Sequence, residues 1–320
     1  MEYATLGKTG LRVSRVGIGC WQMANDGSWG SGATDEESIA TIQHAETLGI
    51  NLLDTSASYG NGHSEVVIGR ALKDRRGRFI VATKVKPLPG APGDEAARQE
   101  IVDILEGSLK RLQSDYVDIL QLHRDPDEPT MAVVMDTLAE LKRQGKVRWY
   151  GISANNTQLI RQLQALGELS VVQVGYNMIN RGGESTLALA NAENLGTLIR
   201  MPLASGALAG KYFKAQPNMT GDDPRKSRFE SERGVAALKR LSDLRFLTEG
   251  GRRTMVQAAL RFILDTDGVT SVIPGAKNRK QLEENAAAAD VPPLSPEERS
   301  RAMLIAGEVG SISSLGLIQS

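Results

Sequence analysis

Short apolar runs alternate with amphipathic segments along most of the chain, from residue 16 to residue 286. The runs have the length of buried β-strands, and the segments between them place apolar residues three or four positions apart, as in a helix buried on one side. Eight strands are predicted in this way, at 16–19, 51–54, 79–84, 117–122, 147–153, 171–176, 197–201 and 269–273. Eight strands in alternation with helices predict an α/β fold, the (β/α)8 TIM barrel.

Turn and capping signals add detail to this prediction. Residues 3–13 form two alternating runs around the turn Gly7-Lys8-Thr9-Gly10, which predicts an N-terminal β-hairpin. Thr34 and Glu37 have the spacing of a capping box, so a helix is expected to begin there. Ile39, Ile42, Ala45 and Leu48 would form its buried face, and Gly49 would end it.

No linker or shift in composition divides the alternation, so a single domain over residues 1–320 is expected. An open doubly wound sheet is the competing architecture for the same pattern. Such a sheet would carry a glycine fingerprint at its first strand-to-helix turn if it bound a dinucleotide. Here that turn reads Gly19-Cys20-Trp21-Gln22-Met23 and lacks the further glycines, which favours the barrel.

Two long loops interrupt the pattern and are expected at the C-terminal face of the barrel. The first, 27–32, is rich in glycine and contains Trp29, and the second, 214–232, is charged and rich in Gly, Pro and Asp. Loops of this length on a compact fold are often lids or binding loops, and simple surface excursions are an equally good interpretation.

The composition narrows the classes of function. Acidic and basic residues balance at 38 each, so no net field attracts nucleic acid or an anionic membrane. The single cysteine, Cys20, excludes an internal disulfide framework, and three scattered histidines have no zinc-binding spacing. Without a signal-like N-terminus or a long apolar stretch, a cytoplasmic protein that acts on a small molecule is expected.

Ionisable residues lie at the ends of three consecutive predicted strands. Asp54, Lys84 and His123 occupy these ends, and Tyr59 follows Asp54 after a turn of small residues. Strand exits form the active site in parallel barrels. A free tyrosine has a pKa of about 10, and a buried ammonium group nearby stabilises its anion. Asp54 would compensate the charge of Lys84, and His123 could direct a substrate oxygen.

Each of these residues also has a simpler interpretation. Taken alone, Asp54 could cap the next turn, Lys84 could be a solvated charge at the rim, and His123 could be a buried histidine with local partners. Their common position at strand ends, with Tyr59 nearby, favours a catalytic group over an independent coincidence.

The same residues resemble the aldo-keto reductase superfamily. Residues 53–60 are similar to its aspartate-to-tyrosine signature, Thr83-Lys84 to its lysine strand, and residues 118–124 to its histidine strand. The resemblance runs from the N-terminal hairpin to about Asn285 and implies a barrel that binds NADPH across its C-terminal mouth. It implies that Tyr59 donates the proton, that Lys84 and Asp54 tune this donor, and that His123 orients the carbonyl.

The resemblance also implies how the cofactor is held. Ser153, Asn155 and Gln173 correspond to residues that bind the nicotinamide carboxamide, and 202–211 corresponds to a loop that covers the pyrophosphate. Lys277, at a helix N-terminus, corresponds to the 2'-phosphate site, so NADPH is expected to bind better than NADH. The implied cofactor set is Gly19, Cys20, Trp21, Asp54, Ser153, Asn155, Gln173, Arg200, Pro202, Leu203, Ser205, Gly206, Lys211, Gly275, Lys277, Gln281, Glu284 and Asn285.

Simpler interpretations remain open for several of these positions. Hydroxyl and amide groups at strand ends also bind local backbone, and Lys277 could belong to a solvated helix start. Arg200 stands where many family members place an aromatic ring against the nicotinamide. Its guanidinium group either stacks there or closes an ion pair. The implied substrate pocket is lined by Trp21, Tyr59, His123, Trp29 and Arg124.

These features predict an NADP(H)-dependent oxidoreductase that reduces an aldehyde or ketone to an alcohol, or catalyses the reverse reaction. The alternative is a cofactor-sensing regulatory subunit with little turnover, like the potassium-channel beta subunits that share this fold. A metal-dependent barrel would need a cluster of His and carboxylate ligands that three histidines do not easily build.

Overall fold

The computed structural model describes residues 1–25, 27, 33–87, 93–213, 219, 223 and 225–309. Trp29 and residues 214–218, 220–222 and 224 of the predicted second loop lie outside the described residues. Residues 226–229 of that loop form a short helix, and Ser231 caps the helix that follows.

Eight parallel strands pair in sequence order to form the central sheet. Parallel bridges join Val16 to Val272 and Gly19 to Gly275, so the first and last strands meet and the sheet closes on itself. The predicted barrel is therefore confirmed. A separate hairpin of β1 (Tyr3–Thr5) and β2 (Arg12–Ser14) precedes the barrel strands β3 (Ile18–Gly19), β4 (Leu52–Asp54), β5 (Ile80–Val85), β6 (Val117–Leu122), β7 (Val147–Ser153), β8 (Val171–Gly175), β9 (Gly196–Arg200) and β10 (Ser271–Val272).

The first and last barrel strands are shorter than the sequence pattern predicts. The runs 16–19 and 269–273 are reduced to β3 and β10, of two residues each. Gly17 and Gly19 flank Ile18, and Pro274, which has no N–H group to donate, follows soon after β10. Regular pairing therefore ends early at the seam where the barrel closes, although the N–H groups of Gly17 and Gly19 still donate to Val272 O and Pro274 O, at 2.8 and 3.0 Å.

Helices surround the sheet and cover its outward side chains. The capping box is confirmed, because Thr34 Oγ1 accepts from Glu37 N and the Glu37 side chain accepts from Thr34 N. Ile42 and Ala45 are buried on the inner face of the helix that follows. The described helices are α1 (Asp35–Thr47), α2 (His63–Ala71), α3 (Asp94–Leu112), α4 (Met131–Arg143), α5 (Thr157–Leu166), α6 (Glu184–Ala192), α7 (Lys226–Phe229), α8 (Glu232–Leu241), α9 (Met255–Leu264), α10 (Arg279–Ala286) and α11 (Pro296–Gly307).

The lower part of the barrel interior is apolar and is closed by the hairpin. Leu6 and Val13 of the hairpin pack against one inward-facing layer, and all members of this cluster are buried. The other members are Leu52, Ala82, Ile119, Val171, Leu198 and Ile273. Because side chains alternate along a strand, the residues two positions after these point inward one layer higher.

The next layer of the interior is polar and lies towards the C-terminal ends of the strands. Two positions after the apolar layer stand Asp54, Lys84, Gln121 and Gln173, all nearly or completely buried. The strand register aligns Lys84 with Gln121, so the two side chains start from the same level of the barrel. The period of two along each strand therefore brings four polar groups from separate strands to one place.

Candidate active site

The ammonium group of Lys84 is the centre of the polar layer. Lys84 is fully buried, and its Nζ donates to Asp54 Oδ2 at 2.6 Å, to the carbonyl oxygen of Thr55 at 2.9 Å and to the Tyr59 hydroxyl oxygen at 3.3 Å. An ammonium group has three donors, so all of them are used. Burial lowers the pKa of Lys84, but the charge of Asp54 and the contacts with Asp54 and Tyr59 outweigh it and raise this pKa overall, so the amine stays charged.

The carboxylate of Asp54 also accepts hydrogen bonds from two glutamine amides of the same polar layer. Gln173 Nε2 donates to Asp54 Oδ1 at 2.7 Å, and Gln121 Nε2 donates to the same oxygen at 3.3 Å. Gln121 Oε1 in turn accepts from Gln173 Nε2 at 3.4 Å. Both amides bind the carboxylate oxygen that does not contact Lys84, so they hold Asp54 in position as the partner of Lys84. Sequence reasoning missed Gln121, although a glutamine at an inward position of a buried strand was a usable signal.

Tyr59 stands above this ion pair on a tight turn. The following residue, Gly60, has a φ of +58°, and a Cβ there would lie 2.1 Å from Ala24 O, so the turn requires glycine. Burial raises the pKa of Tyr59, while the charge of Lys84 counteracts the rise. The Trp21 ring stacks on the Tyr59 ring, with centroids 5.6 Å apart and 17° between the planes. The phenol is therefore protonated at neutral pH and held beside the Lys84 ammonium group, whose charge favours its anion.

His123 is held at the edge of the Tyr59 ring, with centroids 5.6 Å apart and 81° between the planes. Its Nδ1 lies 3.0 Å from Ser56 Oγ and 3.3 Å from Ser58 Oγ. Burial, followed by the charges of Lys84, Lys86 and Arg200, lowers the pKa of His123 to about 3. The imidazole is neutral at physiological pH, and when a serine donates to Nδ1 its proton lies on Nε2, ready for an oxygen above the site.

Two of the predicted carboxamide-binding residues have protein partners in this structure. Asn155 forms a pair of hydrogen bonds with Gly175, because its Nδ2 donates to Gly175 O at 3.0 Å and its Oδ1 accepts from Gly175 N at 2.9 Å. The Gln173 amide donates to Asp54, as described above. Ser153, at the end of β7, pairs with Gln173 in the sheet, and its hydroxyl group makes no side-chain hydrogen bond within the described residues.

The predicted pyrophosphate loop has an unusual backbone. Met201, Ala204 and Ser205 have positive φ angles of 57°, 48° and 55°, which side chains disfavour and which concentrate at functional sites. Pro202, Leu203 and Gly206 belong to the same loop, at the exit of β9. Arg225 Nη1 donates to Ser205 O at 3.1 Å and ties the loop to the segment that contains α7.

A group of basic residues lies between this loop and the start of α10. The pKa of Lys277 is lowered by burial and by the nearby charges of Arg225 and Lys211, while Asp223 opposes the change. Arg225 holds Asp223 through Nε and Nη2, at 2.9 and 2.6 Å. Sequence reasoning missed Arg225, although the high charge of loop 214–232 pointed to this segment.

The first turn of α10 is stabilised by its own side chains. Asn278 Oδ1 accepts from Gln281 N at 3.0 Å, and Gln281 Oε1 accepts from Lys277 N at 2.8 Å. Asn285 Nδ2 donates to Gly275 O at 3.2 Å. Glu284 lies on the same helix, where its carbonyl oxygen accepts from Gln257 Nε2 at 3.5 Å. In this structure Gln281 therefore shapes the helix start.

Three further residues lie around the mouth. The Gln22 side chain packs against Gly275, where an added Cβ would be 2.7 Å from Gln22 Cδ, and its buried Oε1 has no hydrogen-bond donor among the described residues. Arg124 follows His123, and within the same ranges its buried Nε has no acceptor. Cys20 is buried, and burial raises the pKa of its thiol, so it is a packing residue rather than a nucleophile.

The described residues contain no helix long and apolar enough to cross a bilayer. Within the same ranges, no group of His, Cys, Asp and Glu is arranged to hold a metal ion.

Several known proteins are similar to this chain in sequence and in fold. The profile of the aldo/keto reductase family matches residues 15–303. The aldo-keto reductase YhdN of Bacillus subtilis is 33% identical over 294 residues, which cover 88% of this chain and 87% of that protein. A probable voltage-gated potassium channel subunit beta of rice, Oryza sativa subsp. japonica, is 32% identical over 93% of this chain and 94% of its own. An aldo-keto reductase from Klebsiella pneumoniae, solved in complex with NADPH, is 26% identical, covers 94% of each chain and superposes with a TM-score of 0.73.

Proposed function

The chain belongs to the aldo/keto reductase family, and on that basis we propose that it is an NADP(H)-dependent oxidoreductase that reduces an aldehyde or ketone to the alcohol, or catalyses the reverse reaction. The observation that carries the proposal is the buried Lys84 ammonium group, which touches both Asp54 and the Tyr59 hydroxyl. A structural ion pair does not need a phenol as its third partner at the open end of a barrel.

In the proposed reaction Tyr59 supplies the proton. When bound at the mouth, NADPH would supply the hydride that adds to the carbonyl carbon. The Tyr59 hydroxyl donates its proton to the carbonyl oxygen, and Lys84 stabilises the phenolate that remains. His123, neutral and held through Nδ1, donates from Nε2 to the same oxygen and fixes its direction. The Trp21 ring covers Tyr59 and would form a wall of the substrate pocket.

The residues around the mouth fit a phosphorylated dinucleotide. Lys211, Arg225 and Lys277 are close enough for their charges to interact, with Asp223 as the acid among them, and together they would attract the pyrophosphate and the 2'-phosphate. The orphaned acceptor on Gln22 and the Ser153 hydroxyl offer hydrogen bonds to the sugar or the nicotinamide. The NADPH bound to the Klebsiella pneumoniae relative supports the same choice of cofactor. NADH would bind more weakly.

Lys277 tests the cofactor preference. We expect Lys277→Ala to weaken NADPH far more than NADH, because only NADPH carries the 2'-phosphate. Calorimetric titration of both cofactors measures the two changes. Lys280→Ala is the control, since Lys280 is an exposed lysine in the first turn of α10, shortly after Lys277. Equal loss for NADPH and NADH in Lys277→Ala would move the phosphate site elsewhere.

Turnover tests the proposed reaction itself. The absorbance of reduced nicotinamide is followed with a panel of small aldehydes, dicarbonyls, sugars and bulky ketones, and with the corresponding alcohols in the reverse direction. Turnover with any of them that is lost in Tyr59→Phe supports the proposal.

The second candidate is a cofactor-sensing subunit, which is favoured by the similarity to potassium-channel beta subunits. Tight NADPH binding without turnover in either direction across the panel would support it instead. Failure to bind either nucleotide would contradict both candidates.

A further inference from the structure

Arg200 is a cation at the mouth whose position is fixed by its neighbours. It ends β9 and pairs in register with Gly175 on β8. A Cβ on Gly175 would lie 3.2 Å from Arg200 Cζ and 3.3 and 3.4 Å from its two terminal nitrogens, so the flat guanidinium group lies over the bare glycine. Asn155 holds the N–H and C=O groups of Gly175 at 2.9 and 3.0 Å. The ends of three neighbouring strands therefore build one support for this charge.

The charge of Arg200 is not neutralised by an acid within the described residues. No hydrogen bond or ion pair joins its guanidinium group to another residue in those ranges. The carboxylate of Asp54 attracts Arg200 electrostatically, but it is already paired with Lys84 at 2.6 Å. The field of Arg200 also reaches Tyr59 and His123, the two groups that would contact a substrate oxygen. Arginine stays protonated in proteins, so the mouth holds a permanent positive charge.

We propose that Arg200 makes the site discriminate between the two oxidation states of its nicotinamide cofactor and bind NADPH in preference to NADP⁺. The inference rests on the proposed function. For hydride transfer, the nicotinamide C4 and the carbonyl carbon must come within about 3 to 3.5 Å of each other. A carbonyl oxygen bound at Tyr59 and His123 would therefore bring the ring within the field of Arg200, which acts on both residues.

The physical reason is the charge of the ring. NADPH and NADP⁺ carry the same phosphates and sugars, and they differ near the reacting carbon by one positive charge. A fixed guanidinium group repels only the oxidised ring, while its flat face packs equally well against both. An aromatic side chain at this position would instead attract the cationic ring. Arg200 is therefore expected to weaken NADP⁺ and to speed its release after reduction of the carbonyl.

Titration of the two cofactors tests this inference without measuring turnover. Dissociation constants for NADPH and NADP⁺ are determined by calorimetry for the wild type, Arg200→Gln and Arg200→Lys. Because two unit charges a few ångströms apart interact strongly at a partly buried site, we expect Arg200→Gln to lower the ratio of the NADP⁺ constant to the NADPH constant by about tenfold or more. Arg200→Lys keeps the charge and is expected to keep most of the ratio.

The outcomes separate this inference from the proposed function. If the wild type binds neither nucleotide, the proposed function fails. If the wild type binds both but Arg200→Gln changes both constants by the same factor, only the role of Arg200 is overturned. The role is also overturned if Arg200→Lys lowers the ratio as much as Arg200→Gln does, because the charge would then not be the cause. Arg200→Met provides a second neutral variant if the glutamine variant folds poorly, which thermal unfolding detects.

Discussion

Two buried carboxylates, Asp118 and Asp54, lie at opposite ends of the barrel. Each pairs with a basic residue, but the two basic residues have different further partners. Asp118, at the start of β6, accepts from Arg76 Nη2 at 2.8 Å, from Val81 N at 3.0 Å and from Arg148 Nη1 at 2.9 Å. Asp54, at the end of β4, accepts from Lys84 at 2.6 Å and from two glutamine amides. Both carboxylates are almost completely buried, at 1% and 3% exposure.

The difference lies in the partners of the basic residue. The remaining donors of Arg76 bind Phe79 O at 2.9 Å, Tyr116 O at 3.1 Å and the Ser114 hydroxyl oxygen at 3.1 Å, so the guanidinium group in this lower cluster around Asp118 is held by fixed groups of the protein. The remaining donor of Lys84 reaches the Tyr59 hydroxyl, which can give up a proton at the open mouth. A buried ion pair alone therefore does not mark a catalytic site. A proton-exchanging group at the C-terminal end of the strands does.

The largest expected effect is on turnover, through the upper cluster of Asp54, Lys84 and Tyr59. Tyr59→Phe should reduce turnover by about 10²- to 10⁴-fold, which is the usual contribution of a general acid. Cofactor affinity and the midpoint of thermal unfolding should stay close to the wild-type values, because the ring and its stacking on Trp21 remain. Steady-state kinetics, calorimetry and thermal unfolding measure the three properties. Near-normal turnover would refute the role of Tyr59.

The opposite pattern is expected at the lower cluster. Asp118→Asn leaves the guanidinium groups of Arg76 and Arg148 without their counter-charge and should lower the free energy of unfolding by about 3 kcal/mol. Turnover per folded molecule should not change, because the residue lies at the far end of the barrel. Urea unfolding and the turnover of active protein measure the two effects. Lost turnover with unchanged stability would break the distinction between the two ends.

A smaller effect is expected from the support below Asp54. Gln121→Leu removes one donor to the carboxylate and one acceptor for Gln173, and it should lower turnover by about tenfold, because a hydrogen bond to a charged group is worth roughly 1.5 to 3 kcal/mol. The dependence of turnover on pH should shift with it, since the Asp54 and Lys84 pair tunes Tyr59. Ile119→Val, one layer deeper on the same strand, is the control and should leave both unchanged. An unchanged pH profile in Gln121→Leu would show that Gln121 only fills space in the barrel and does not affect the ionisation of Tyr59.

The smallest effect near neutrality concerns the protonation of His123. Its pKa is lowered from 6.5 to about 3, so between these values the unfolded chain binds a proton that the folded protein does not. The free energy of unfolding therefore falls as the pH drops from 6.5 towards 3. His123→Gln should remove that part of the acid sensitivity. Urea unfolding of both proteins over this pH range measures the difference, and parallel curves would show that His123 takes up its proton in the folded state.

The sequence alone determined the barrel and the four residues at its mouth. Apolar runs of strand length and helical periodicity are local properties, and they predicted strands such as β6 and β7 with the observed bounds. In a parallel barrel the C-terminal end of every strand lies at the mouth, so the sequence also shows which residues of each strand are found there. Asp54, Lys84 and His123 could therefore be grouped before any contact was known, with Tyr59 carried there by the short turn after β4.

Tertiary structure decided which groups touch. Asn155 binds Gly175 and Arg200 lies over the same glycine, while Gln121 and Gln173 meet under Asp54. These contacts depend on the register between neighbouring strands and on the closure of the barrel. Neither property can be predicted from the sequence of a single segment. The sequence showed an unusual arginine at residue 200, and only the fold showed that no acid in the described part of the chain pairs with it. Strand positions are local, but the pairing of charges is a property of the assembled barrel.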